Sequence, residues 1–155
     1  MPREVMERRA SDNTYLHKDF HGALSTGIEY LHTHFGEEAV REYLRRFAVA
    51  YYSPLIMKIR DIGLSELKSH IEHIYSVEGW DIDTSLADDV LTVTVKSCPA
   101  VIHMREKGYS VARLFIETTK TVNDALCMGS PYQAELVEYD EKTGGNVQRF
   151  TRRAT

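Results

Sequence analysis

Leu91-Thr92-Val93-Thr94-Val95-Lys96-Ser97-Cys98-Pro99 carries the chain out of a strand and into a helix. Apolar and polar residues alternate from Leu91 to Lys96, the period of a strand with one buried face. Proline suits the first helical position, because its missing N–H would be unpaired there in any case. Cys98 therefore falls at the N-cap, beside unpaired amides and the positive end of the helix dipole. Such surroundings lower the pKa of a thiol and make it a nucleophile. The alternative for Cys98 is a small buried hydrophobe at a strand end.

Around this junction the chain divides into a helical first half and a mixed second half. Residues 1–11 are charged and aperiodic, which fits a loose arm or one turn of surface helix. Ser11, Asp12 and Asn13 are candidate caps for a helix from about Thr14 to Phe35, whose apolar residues Leu16, Phe20, Leu24, Ile28 and Leu31 keep the helical period. Gly36 stops it. Glu37 and Glu38 then put acid in the first turn of the next helix, which runs to about Tyr52. Pro54 marks a break or kink. Leu55 to Ile62 and Leu64 to Val77 read as two more helices, divided by Gly63. Trp80 to Ser85 is a candidate strand, with a turn over Leu86-Ala87-Asp88-Asp89 before the strand Val90 to Lys96. Pro99 to Lys107 is a short helix and Val111 to Met128 a longer one. Tyr132 to Tyr139 and Asn146 to Arg153 flank the turn-forming run 140–145 as a closing hairpin. The expected fold is α+β, a helical half followed by a four-stranded, mostly antiparallel sheet with two further helices, as one domain over residues 1–155.

Composition narrows the function classes. With 155 residues, 43% hydrophobic and 27% charged, the chain reads as an ordinary soluble globular protein. A net charge of −4 with mixed signs opposes a nucleic-acid footprint, and Arg45-Arg46 and Arg152-Arg153 are too small to supply one. No apolar run reaches the roughly 20 residues of a membrane span, and the N-terminus lacks the apolar core of a signal peptide. Two cysteines are no disulfide framework, which makes a reducing cytoplasm the expected location. A phosphate-cradling loop, a Gly-x-Ser-x-Gly elbow, a CxxC pair and a dinucleotide fingerprint are all missing. A homodimer is expected on the general frequency of such assemblies.

Several side chains are candidates to work with Cys98. His103 is a candidate base, but five helical residues place it about 140° away from Cys98, on another face. A base from the first helix or the Glu117 region fits a folded site equally well. Glu117 interrupts an apolar stretch, where burial raises a carboxylate's pKa and suits it to acid–base work; the alternative is a solvated residue or a partner of Arg113 or Lys120. His17 and His21 are one turn apart on one face, the spacing of two imidazoles on one metal ion. No third ligand accompanies them, since His32 is about 16 Å further along the helix. They are candidate pocket walls or ligand contacts, with Tyr52 as another, and no cofactor is expected. Cys127, at a helix C-terminus where the dipole disfavours a thiolate, reads as packing.

Cys98-Pro99 after an alternating strand, the Phe115-Ile116-Glu117 helix, and a last strand reading Gln148-Arg149-Phe150-Thr151-Arg152-Arg153 together resemble one family. The resemblance spans roughly residues 90–153 and is to the small proteins grouped with L-2-amino-thiazoline-4-carboxylic acid hydrolase. It implies hydrolytic opening of a cyclic amidine C–N bond, with Cys98 as nucleophile and Glu117 as a polar wall of the pocket. The family pattern has a cysteine between the Phe and the Glu, where this chain has Ile116. If that second thiol is required, the chain binds a related ligand without turning it over. The expected function is a small cytoplasmic hydrolase acting on a C–N bond of a heterocycle or amide through Cys98, with His103 and Glu117 as catalytic partners. The alternatives are a small-molecule or metal-binding sensor and a structural subunit.

Overall fold

A computed structural model describes residues 15–154, with side chains from Phe20 onward; the proposed arm, the candidate caps Ser11, Asp12 and Asn13, and the His17 side chain lie outside the described residues. The elements run α1 (Tyr15–Phe35), α2 (Glu37–Tyr51), α3 (Ser53–Asp61), α4 (Leu64–Val77), β1 (Asp83–Ala87), β2 (Val90–Val95), α5 (Pro99–Glu106), α6 (Glu117–Leu126), β3 (Tyr132–Tyr139) and β4 (Asn146–Arg152). The four strands form an antiparallel sheet in the order β1-β2-β4-β3, so the fold is α+β. Among the described residues no helix is long and apolar enough to cross a membrane.

Three boundaries differ from the sequence expectation. The break expected at Pro54 is present, between α2 and α3, but α3 begins at Ser53 instead of Leu55 and takes Pro54 into its first turn, where its fixed φ and missing N–H cost nothing. Strand β1 begins and ends later than expected, because only Asp88 and Asp89 make the turn to β2. Both have positive φ, 52° and 60°, as a two-residue hairpin turn of the type matched to strand twist requires. The Asp89 carboxylate is held there by the Tyr132 hydroxyl at 3.0 Å and by Arg152 Nε. Helix α6 begins at Glu117 instead of Val111. The preceding amides of Ala112 and Arg113 are taken by α1, through Ser25 Oγ at 2.8 Å and Glu29 Oε2 at 3.1 Å. That segment docks on a neighbour and coils in tight turns instead of continuing a helix.

Two clusters fill the interior. Leu55 and Ile59 of α3 and Leu64 and Leu67 of α4 cover the sheet residues Leu91, Val93, Val95 and Phe150. Ile28, Val40 and Leu44 from α1 and α2 pack on Ala100, Val101 and Met104 of α5 and on Phe115. Val122 of α6 touches both. Register partners Leu91–Phe150, Val93–Gln148 and Val95–Asn146 share the covered face. Two amide side chains thus occupy positions where the strand pattern calls for apolar residues. Phe150, with none of its surface exposed, anchors the face. Phe150→Ala should cost about 3–5 kcal/mol in urea unfolding. Val137→Ala, at an exposed position of β3, should stay within about 0.5 kcal/mol of the parent.

Candidate functional site

Cys98 is the N-cap of α5, with extended dihedrals (φ −85°, ψ 123°) and Pro99 next in line. The strand-to-helix junction therefore forms as the sequence expects, and the thiol is partly buried. Its acidity does not follow the expectation. Burial pushes the Cys98 thiol above its ordinary value, the amides of Val101 and Ala100 pull it down less strongly, and the nearby Glu78 carboxylate pushes it up again. Desolvation outweighs the helix N-terminus, and the sulfur rests as a neutral thiol.

The carboxylate beside the thiol is Glu78, not Glu117. Glu78 is the C-cap of α4, and His21 of α1 approaches it, Nε2 to Oε1, at 3.8 Å. Both side chains are largely sheltered, 25% exposed for His21 and 13% for Glu78. Among the described residues, His21 Nδ1 is buried without a hydrogen-bond partner. Two tyrosines complete the surroundings. Tyr75, one turn before Glu78, and Tyr139, at the end of β3, are both raised, first by burial and then by the proximity of Cys98. Tyr139 is pushed up to about 12. The two phenols stay protonated and able to donate.

Glu117 has other work. It is buried at the start of α6, where Arg41 Nε of α2 donates to Oε1 at 3.1 Å and Thr121 Oγ1 donates to Oε2 at 2.6 Å. Its ion-pair partner is Arg41, not the expected Arg113 or Lys120; Arg113 pairs instead with Glu29 at 2.8 Å. One carboxylate oxygen thus joins α6 to α2 and the other is taken within α6, and the groups acting on Cys98 do not include them. His103 lies on α5 beyond Cys98, and its side chain is not among the groups perturbing the thiol. Tyr52 joins an aromatic group with Tyr51 (4.9 Å between centroids), Phe47 (6.2 Å) and His70 (5.6 Å), between α2 and α4. Cys127 is buried at the end of α6, its thiol pushed up to about 11 by burial. Among the described residues no group of three or more His, Cys, Asp or Glu side chains is placed to hold a metal ion.

The ends of β2, β3 and β4 border a groove of about 300 Å3, lined by Lys96, Tyr139, Asp140 and Gly145 among others and not by Cys98 itself. Tyr139 faces both the groove and the thiol's surroundings. Glu78 escaped the sequence reading because nothing in its spacing links it to Cys98. One signal was available: it sits at the negative end of α4, where a carboxylate is disfavoured unless something else holds it.

Compared with known proteins, the chain matches no family model and no curated protein. The site therefore has to be read from its own chemistry. Removing the Glu78 charge removes one of the two influences that keep the thiol protonated. Glu78→Gln should speed alkylation of Cys98 by iodoacetamide at pH 8, whereas Glu117→Gln should leave it unchanged; peptide mapping of the labelled protein reads both.

Proposed function

We propose that the chain acts on a small molecule through Cys98, and that the reaction is hydrolysis of a C–N bond in a small heterocycle or amide. What supports this is the gathering of thiol, carboxylate and imidazole from three separate elements: Cys98 at the start of α5, Glu78 at the end of α4, and His21 on α1. The resemblance of residues 90–153 to the aminothiazoline-carboxylate hydrolases points the same way.

A thiol that rests neutral calls for a base at the moment of attack. In the proposed reaction Sγ bonds to the electrophilic carbon as its proton passes to Glu78, with His21 Nε2 on the far side of the carboxylate at 3.8 Å. The C–N bond then breaks as that proton moves to the leaving nitrogen. Water attacks the sulfur-bound carbon, the C–S bond breaks, and the thiol is regenerated. The amides of Ala100 and Val101, at the positive end of the helix dipole, stabilise charge developing near the sulfur.

A second reading has an observation of its own. The thiol is mostly sheltered and raised in pKa, which suits a domain that binds or senses a small molecule without turning it over. Mass spectrometry of reactions with a panel of cyclic amidines and amides, 2-amino-thiazoline-4-carboxylate included, separates the two. The hydrolase reading expects ring opening or deamidation by the parent, loss of turnover in Cys98→Ala, and a fall of about 10²-fold or more in Glu78→Gln. No turnover of any member, together with a thermal shift that survives Cys98→Ala, supports the binding reading and ends the hydrolase one.

A further inference from the structure

The run Asp140 to Gly145 between β3 and β4 is more than a hairpin turn. It is cross-linked within itself. Asp140 N–H donates to Gly145 O at 2.8 Å and Gly144 N–H to Asp140 O at 2.7 Å, while Lys142 N–H donates to Asp140 Oδ1 at 2.8 Å and Gly145 N–H to Thr143 Oγ1 at 3.1 Å. A loop bonded in this way moves as one piece. Its outer face is fastened to α5 by three successive carbonyls. Arg105 donates from Nη2 to Glu141 O and from Nε to Lys142 O, both at 2.8 Å, and Cys98 N–H donates to Thr143 O, also at 2.8 Å.

The fastening presses Gly144 onto the cysteine. A Cβ at Gly144 would stand 2.6 Å from Cys98 Cβ and 2.7 Å from Val101 Cγ2, so only glycine fits, and its φ of +67° favours glycine as well. The root of the loop is anchored from inside. Asn123 Nδ2 donates to Gln148 Oε1 at 2.7 Å, Gln148 Nε2 to Asn146 Oδ1 at 2.8 Å, and Asn146 Nδ2 to Gly144 O at 2.9 Å. All three side chains are buried. Donors aligned in one direction along a buried chain reinforce one another, so this side of the loop is the fixed one. The other side is held by the exposed guanidinium of Arg105 at two carbonyls and by the Cys98 N–H at a third.

From this we infer that residues 140–145 form a clasp over Cys98, hinged at Asn146 and latched by Arg105, so that Arg105 is a positioning residue governing access to the sulfur. Gly145 and Tyr139 also line the neighbouring groove, and lifting the clasp joins that groove to the thiol. The inference deepens the reading of Cys98 as the working group and rests on it. Its test does not require turnover.

The test is competition between the two cysteines for limiting iodoacetamide at neutral pH, resolved by peptide mass spectrometry. Cys127, buried at the end of α6 and bonded to neither the loop nor Arg105, is the internal reference for global unfolding. Arg105→Ala removes two of the three bonds between the loop and α5, leaving Cys98 N–H to Thr143 O, and should raise the Cys98-to-Cys127 labelling ratio roughly tenfold, as expected from losing charge-assisted hydrogen bonds that hold a local opening shut. If Arg105→Ala does not fold, Gly144→Ala, which pushes the loop away from Cys98, should move the ratio in the same direction. A ratio that stays at the parent value, whether both rates are unchanged or both rise together, overturns the clasp. Either result holds whether or not the parent hydrolyses any C–N substrate, so the clasp and the hydrolase reading fail separately.

Discussion

Gly144 lies so close to Cys98 that no side chain fits between them, and the rest of the site follows from that contact. The approach brings the hairpin loop down on the start of α5, where burial raises the thiol despite the helix amides beside it. A helix N-terminus lowers a thiol's pKa only where the sulfur keeps enough polar surroundings for its charged form. Here Cys98 packs against the apolar cluster of α1, α2 and α5 as well as the loop, and the charge of Glu78 has the wrong sign for a thiolate.

The sheet makes this contact possible. Central strands β2 and β4 pair so that Val95 and Asn146 stand opposite each other, which brings the end of β2, leading to Cys98, alongside the start of β4, leading back to Gly144. The shift in register of β3 at Leu136/Glu138 bends the hairpin just before its tip, as a bulge does. Polar residues at covered positions would ordinarily weaken a core. Asn146 and Gln148 do not, because each amide has a partner and the chain of bonds ends on the loop it positions.

Much of this was legible before any coordinates. Helix α4 and strand β3 run between the residues that periodicity assigns. Cys98 caps α5 because an alternating strand followed by proline leaves few other arrangements. Local pattern failed where a distant partner decides. The segment before α6 docks on Ser25 and Glu29 of α1 and runs in i→i+3 turns, so the α-helix starts only at Glu117, and Arg41 claims Glu117 across 76 residues of sequence. Glu78 and His21, 57 residues apart, meet only because α1 and α4 are folded together. Gly144 and Gly145 read as turn formers, but Gly144 is also required by a contact 46 residues back along the chain. Asn146 and Gln148 carried a signal that went unused: amides at apolar positions of a strand imply buried partners.

The central claim is that the Cys98 thiol is held neutral beneath the loop and beside Glu78. A pH titration of the cysteine 13Cβ shifts by NMR measures this without any reagent entering the site. The account predicts a Cys98 midpoint above the ordinary thiol value of 9.0, moving downward in Glu78→Gln, with Cys127 near 11 in both proteins. A Cys98 midpoint below 9.0 would contradict it, for the sulfur would then be a primed thiolate that the loop does not shelter.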